Sequence, residues 1–405
     1  MNKQTIKDVN FSGKTVIVRV DFNVPLSGGK VSDDNRIVAA LPTIKELQTQ
    51  GAKIVLLSHL GKVNHKDPAK TPSDMKKNDM AFVAPTVKKY LKGDFVYCPF
   101  TQGAEVEKAI KGLKPQQVLL LQNTRYEVGE EKNDPKLAAY WANLADGFVM
   151  DAFGSAHRAH ASTYGIPEVM NKAKKPTAIG FLVEKEVAAL SRCVEAKEHP
   201  YVAILGGVKV SDKIKVIDSL LKKVDKILIG GAMAYTFLAA KGINVGNSLV
   251  EKDQLDYAKK CLKDGVDKIV LPIDHVIAAT MDNPTDVRNT LSVNITDGFI
   301  GFDIGARTIE LFKNAMKGAK IIFWNGPMGV FENEWFNKGT KGVCEAMANV
   351  KGAFTVVGGG DSASAVAMFG FKDKISHVST GGGASLEMIE NDGHLPGIDI
   401  VADKK

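Results

Sequence analysis

Thr355-Val356-Val357-Gly358-Gly359-Gly360-Asp361-Ser362-Ala363 runs from a β-branched apolar stretch into three glycines, a carboxylate and a hydroxyl, then into helix-forming sequence. The order reads as strand, phosphate-binding loop, helix. Glycines let backbone N–H groups come close to an anion, and a new helix offers unpaired N–H groups and the positive end of its dipole. The adjacent carboxylate can hold the cation that phosphates bring. A second group is cationic: Arg36, His59, Lys62, Arg125, His157, Arg158 and His160 all fall after apolar runs or at a helix entrance. Any one alone is as well explained as a solvated surface charge. Together, with Asp21 and Asn23 to hold hydroxyls, they suit a small phosphorylated acid. A third group is Lys209 and Lys213, four apart after Gly206-Gly207. Such a pair is ordinarily a solvated helix face, but just after a glycine turn a lysine can reach a terminal phosphate.

These groups need elements to position them. Thr15 to Val20 reads as a buried strand emptying into Asp21-Phe22-Asn23-Val24-Pro25, where proline forbids continuing a ladder. Ile37, Leu41, Ile44 and Leu47 recur at helical spacing, with Arg36 at the entrance. Lys53 to Leu57 is a strand releasing Ser58-His59-Leu60-Gly61-Lys62, and Val118 to Leu121 another that delivers Asn123-Thr124-Arg125. Phe95 to Cys98 and Gly147 to Met150 are further strands, and Asp134-Pro135 is a helix start with Asp as N-cap. A helix-like Val183 to Cys193 is long enough to link two lobes. Beyond it, strands at Tyr201 to Leu205, Lys226 to Ile229, Lys268 to Leu271, Lys320 to Trp324, Phe354 to Val357 and Ile375 to Val378 form a second series, several ending in glycines. The fold class is α/β: two Rossmann-like lobes, each a mainly parallel sheet flanked by helices, joined by a linker helix with an interlobe cleft. The expected division is 1–180, 181–391 and a tail over 392–405, packing back towards the first domain. Open α/β sheets bind ligands at their strands' carboxyl ends, where the polar residues fall.

With 405 residues, 44% hydrophobic and 24% charged, the chain is of globular composition and long enough for more than one core. The formal net charge of +7 comes without a continuous basic stripe, which favours a small anionic substrate over nucleic acid. Four scattered cysteines, Cys98, Cys193, Cys261 and Cys344, form no C-x-x-C pair, which argues for free thiols in a reducing compartment and against zinc. No apolar run approaches the ~18 residues of a membrane span and the start lacks a secretory core, so the expected location is the cytoplasm.

Rival readings fail on particular residues. Gly358, Gly360 and Ala363 satisfy the loose G-x-G-x-x-A pattern of dinucleotide-binding folds, which leaves a dehydrogenase open at that point. The acid that should hold a ribose at the end of the next strand is absent; Ser379-Thr380 stand there. Gly13-Lys14-Thr15 ends like a Walker motif, but Asp8 replaces its first glycine and a strand follows. His157 and His160 could ligate a metal, yet no Cys or acid stands at a persuasive spacing.

Seven longer motifs add a resemblance that covers essentially the whole chain. They are Arg19 to Pro25, Ser58 to Gly61, Asp151 to His160, Lys209 to Lys213, Trp324 to Glu332, Gly358 to Ser362, and Ser379 to Ser385. In type and order they resemble phosphoglycerate kinases. The resemblance implies a two-lobed, monomeric enzyme that moves a phosphoryl group reversibly between 1,3-bisphosphoglycerate and ADP, giving 3-phosphoglycerate and ATP with Mg2+, a glycolytic step. It implies that Asp21, Phe22, Asn23, Arg36, His59, Leu60, Gly61, Lys62, Arg125 and Arg158 hold the triose. It assigns the nucleotide to Lys209, Lys213, Gly301, Asn325, Glu332, Gly359, Gly360, Asp361 and Ser362, the metal to Asp361, and catalysis to Arg36, Lys209 and Gly383. Two departures stand out: Lys62-Val63 where the family usually has Arg-Pro, and Val208 where it usually has Ala. Lysine keeps the charge but loses the planar fork, and a β-branched valine is expected to stiffen or crowd the approach to Lys209.

The chemistry agrees with this. The attacking oxygen is a carboxylate or a phosphate, largely ionised at neutral pH, so no general base is needed and positioning with charge neutralisation is the whole task. Lobe closure is expected, to bring donor and acceptor together and exclude water. The competing class is a non-catalytic nucleotide-binding or scaffolding protein of the same fold.

Overall fold

Apolar runs without polar alternation make strands that are covered on both faces, and this chain has two sets of them. The computed structural model describes residues 2–404. By contact the chain divides into two units: residues up to Ala188 together with the segment from His394, and Ala189–Gly393. The helix Phe181–Glu195, whose start the sequence takes as the boundary, runs through that division.

In the first unit the strands are β1 (Thr15–Arg19), a short antiparallel hairpin β2 (Leu26–Ser27) and β3 (Lys30–Val31), then β4 (Lys53–Leu57), β5 (Phe95–Tyr97), β6 (Val118–Leu120), β7 (Gly147–Met150) and β8 (Thr177–Ile179). Apart from the hairpin they form one parallel sheet in the order β5-β6-β4-β1-β7-β8. The order turns at β1, so the crevice that parallel sheets offer to ligands opens over the loops after β1, β4 and β7. Helix Asn35–Thr49 buries Ile37, Ala40, Leu41, Ile44 and Leu47 against this sheet, which fixes Arg36 in its first turn. Asp134 caps helix Pro135–Asn143 as its sequence predicts, accepting from the N–H groups of Lys136 and Leu137.

The segment from His394 completes this unit. Gln4 N–H donates to the carbonyl of Ala402 at 2.9 Å, and Asn171 Nδ2 to that of Ile400 at 2.6 Å. Gly397 N–H donates to Ala156 O at 2.8 Å, beneath the loop that carries Arg158.

In the second unit β9 (Tyr201–Leu205), β10 (Lys226–Ile229), β11 (Ile269–Val270), β15 (Ile321–Asn325), β16 (Phe354–Gly358) and β17 (His377–Val378) form a parallel sheet ordered β11-β10-β9-β15-β16-β17. This is the doubly wound dinucleotide-fold order, with its switch between β9 and β15. A separate antiparallel sheet of β12 (His275–Ala278), β13 (Arg288–Asn289) and β14 (Ile300–Ile304), which the sequence analysis does not anticipate, carries Gly301. Its strands are short and mixed in polarity, so they give no clear period. Among the described residues no helix is long and apolar enough to cross a membrane.

Candidate active site

In the first unit the loops at the strand ends are laced by two asparagines. Asn23 Oδ1 accepts from Gly61 N–H at 2.8 Å, and Asn123 accepts from the N–H groups of Leu60 (3.1 Å) and Arg125 (3.0 Å) while donating to Leu60 O at 2.7 Å. Arg36 Nη1 donates to both oxygens of Asp21 at 3.1 and 3.2 Å and to Asn23 O at 3.0 Å. Arg125 Nη1 donates to Gly61 O at 2.6 Å. One lattice of hydrogen bonds thus holds two arginines, an acid and the loop bearing His59.

His59 is buried, and Arg19 Nη2 lies 3.1 Å from its Nδ1. A guanidinium only donates, so Nδ1 accepts and the ring proton sits on Nε2. Burial, followed by Arg19, Arg125, Arg36 and Arg158, holds the imidazole pKa well below its ordinary value. Four guanidinium groups act on one ring, so positive charge gathers around these loops. Arg19 is itself fully buried, its Nε donating to Ser162 Oγ at 2.8 Å, and Ser162 Oγ donates to Glu130 at 2.7 Å. Glu130, entirely buried, supplies the countercharge for a cation inside the sheet. Arg125 is buried with its Nε unpartnered, an omission worth ~1–3 kcal/mol that a nearby bound anion would help offset. Arg158 is exposed and donates from Nε to His157 Nε2 at 3.2 Å. Burial, then Arg158 and His160, push His157 down to about 4.

In the second unit the corresponding strand ends are bare backbone. Gly207, Gly326 and Gly359 have φ of +108°, +93° and +105°, a region that L side chains rarely adopt. Helix Gly360–Met368 starts at Gly359 and helix Gly382–Glu390 at Gly381. A Cβ on Gly382 would lie 3.2 Å from Gly359 Cα and from Gly360 N, so the two helix N-termini converge with no side chain between them. The starts of two helices, each with its terminal N–H groups and positive dipole end, therefore lie side by side. Beside it Asn325 Nδ2 donates to Gly358 O at 2.7 Å, Gly326 N–H donates to Ser362 Oγ at 2.6 Å, and Lys213 Nζ donates to Asn325 Oδ1. Burial lowers the Lys213 pKa, opposed by Asp212, Glu390 and Asp361. Asp361 is exposed in the first turn of its helix.

A model of the family described as phosphoglycerate kinase matches residues 6–392. The phosphoglycerate kinase of Spiroplasma citri is 51% identical over the full length of both chains, and that of Latilactobacillus sakei 49% over the full length of both. The solved structure of phosphoglycerate kinase from Coxiella burnetii superposes with a TM-score of 0.86 at 37% identity, covering 98% of each chain. That from Pyrococcus horikoshii gives 0.84 at 33%, again over 98% of each. The chain belongs to the phosphoglycerate kinase family.

The residues singled out in the sequence divide between the two units. Asp21, Asn23, Arg36, His59, Leu60, Gly61 and Arg125 share the one hydrogen-bonded lattice, and Phe22 is buried beneath it with its N–H on Ser58 Oγ at 2.8 Å. Lys62 is exposed at the edge, its carbonyl accepting from Asn78 Nδ2 at 2.8 Å. Lys209 and Lys213 do not share a helix face: Lys209 is exposed on an irregular loop, and helix Ile214–Leu221 begins only after Lys213. Val208 is 59% exposed, so it does not crowd that loop. Gly301 is buried in β14, where its N–H donates to Ser248 Oγ at 2.9 Å and the ring of Tyr235 fills the space a side chain would need. Val330 N–H donates to Phe302 O at 3.0 Å, which sets the exposed Glu332 near that strand. Gly383 is exposed in the first turn of helix Gly382–Glu390.

Sequence reasoning passes over Glu130 and Ser162 and reads Arg19 only as part of a motif. A charged residue ending an otherwise apolar strand was the available signal. Among the described residues no three His, Cys, Asp or Glu side chains cluster as a metal cage. A lone exposed carboxylate beside a phosphate site still fits magnesium, which keeps waters and takes one or two protein carboxylates plus substrate phosphates.

Proposed function

We propose that this protein is a phosphotransferase that moves a phosphoryl group reversibly between 1,3-bisphosphoglycerate and ADP, forming 3-phosphoglycerate and ATP. The observation that carries the reading is full-length family membership with both half-sites chemically intact. In the first unit Arg36, Arg125 and Arg158 neutralise the triose acid and its phosphate. Asp21, Asn23 and the Nε2–H of His59 orient its hydroxyl and carboxyl groups, while Phe22, Leu60 and Gly61 shape the floor and Lys62 adds charge at the rim. In the second unit Gly359, Gly360 and Ser362 cradle the nucleotide phosphates, with Lys213 and Asn325 beside them, and Gly301 and Glu332 hold the nucleoside end.

The reacting oxygens are already ionised, so no residue has to remove a proton. Arg36 and Lys209 neutralise the migrating group, and the helix start at Gly383 donates N–H groups to it. Magnesium, when bound, neutralises phosphate charge, and Asp361 is the residue that would hold it. Acid and nucleotide belong to different units, so transfer requires a closing motion that also excludes water. Small-angle scattering should register compaction when both substrates are present. The protein acts as a cytoplasmic monomer on small molecules, without nucleic acid or membrane partners.

A coupled assay for ATP formation from 1,3-bisphosphoglycerate and ADP tests the reading. Turnover dependent on both substrates is expected. Binding of nucleotide with no transfer would establish the scaffolding alternative, which the joint presence of Arg36, Lys209 and Asp361 disfavours.

A further inference from the structure

Lys209 lies on an exposed, irregular loop, and among the described residues its ammonium makes no hydrogen bond or ion pair that would hold it in place. The loop itself is held from one side by a single carboxylate. Glu251 accepts from Val210 N–H at 2.5 Å and from Ser211 N–H at 3.3 Å through one oxygen, and from Ser211 Oγ at 2.5 Å through the other. Val210, the residue next to Lys209, is fully buried, so its side chain and its N–H are both fixed. Glu251 is fixed in turn: its N–H donates at 3.1 Å to Oγ1 of the buried Thr236. Three residues before it, Ser248 Oγ accepts the N–H of Gly301.

Charge-assisted bonds to consecutive backbone N–H groups are an anion clasp, here filled by a side chain of the protein. A loop that must deliver an ammonium to a transferring phosphoryl group gains from such a clasp, because small misplacements of a catalytic charge are costly in rate. We infer that Glu251 is a positioning residue for phosphoryl transfer, acting through the Val210–Ser211 backbone to set where Lys209 reaches. The inference rests on Lys209 acting on the phosphoryl group, as proposed above.

The experiment uses the full-length enzyme in the coupled assay, with kcat and both KM values measured. Glu251→Ala should lower kcat by roughly ten- to hundredfold while KM for 1,3-bisphosphoglycerate stays within about twofold. Glu251→Gln should recover most of the loss, since its amide oxygen accepts a backbone N–H and its amide NH2 can donate to Ser211 Oγ. The deciding measurement is a cycle with Lys209→Ala: if Glu251 works through Lys209, Glu251→Ala added to Lys209→Ala should lower kcat by less than about twofold further. Losses that multiply, or a Glu251→Ala enzyme with wild-type kcat, would overturn the inference. Should Glu251→Ala fail to fold, Ser211→Ala in the same cycle gives the answer. A wild-type enzyme that makes no ATP would instead defeat the functional reading on which this rests.

Discussion

The two candidate half-sites offer an anion opposite kinds of partner. In the first unit each arginine is held by another side chain or a carbonyl: Arg36 by Asp21, Arg125 by Gly61, Arg19 by Ser162 and the His59 ring, Arg158 by His157. In the second unit the donors are largely main-chain N–H groups at Gly359–Gly360 and Gly381–Gly382, and the charged side chains Lys209, Asp361 and Glu332 stand exposed. A site made of side chains is sensitive to what is removed from it. A site made of backbone is sensitive to what is added.

That contrast can be broken by substitution. The largest effect is expected for Arg36→Ala, which removes a charge from the transition state and leaves Asp21 without its partner: kcat should fall by roughly 100- to 1000-fold. Near wild-type turnover with both substrates saturating would show that the charge has no special part in transfer. Next comes Gly359→Ala, where a methyl would sit 2.7 Å from Asn325 Nδ2 at a φ of +105°. Nucleotide affinity should drop by about tenfold or more with triose affinity unchanged, because the backbone must leave its left-handed conformation. Calorimetry on each ligand separately is the check, and equal losses for both would contradict a division into independent half-sites.

A smaller effect is expected for Asp361→Ala: the magnesium concentration supporting half-maximal rate should rise several-fold, with the triose KM unmoved. An unchanged magnesium titration would take Asp361 off the metal.

The smallest effect is on stability. Asp303, buried under Gly329 and accepting from the N–H groups of Gly339 and Ile304, is raised from 3.8 to about 8, chiefly by burial. Between those values the folded chain keeps a proton that the unfolded chain has lost, so stability must fall as pH rises through the window. Asp303→Asn should flatten that slope, by on the order of 1 kcal/mol per pH unit, in urea denaturation on either side of neutrality. A slope that survives the substitution would have to come from other buried acids, of which Asp151, raised to about 7 by burial, is the first to test.

Much of this was legible because parallel strands and their ends are written locally. Pro25 closes the ladder after Asp21 and Asn23, and the glycines at 358–360 follow an unbroken apolar run, so both half-sites could be placed from short windows. What escaped was set by distance along the chain. Arg19 meets Ser162 across 143 residues, and Glu251 meets Ser211 across 40. No local pattern encodes such a meeting. The spacing of Lys209 and Lys213 suggested one helix face, but helix Ile214–Leu221 starts too late to carry Lys209. The antiparallel sheet of β12–β14 was lost for a related reason: its two- to five-residue strands are too short and mixed to show a period.

The first unit is assembled from two stretches of chain, with all of the second unit between them. During synthesis the 394–404 strap, whose Gly397 N–H donates to Ala156 beside the Arg158 loop and whose Ala402 pairs with Gln4, follows the whole second unit out of the ribosome. The earlier-synthesised half of the enzyme therefore gains these contacts only after the later one has been translated.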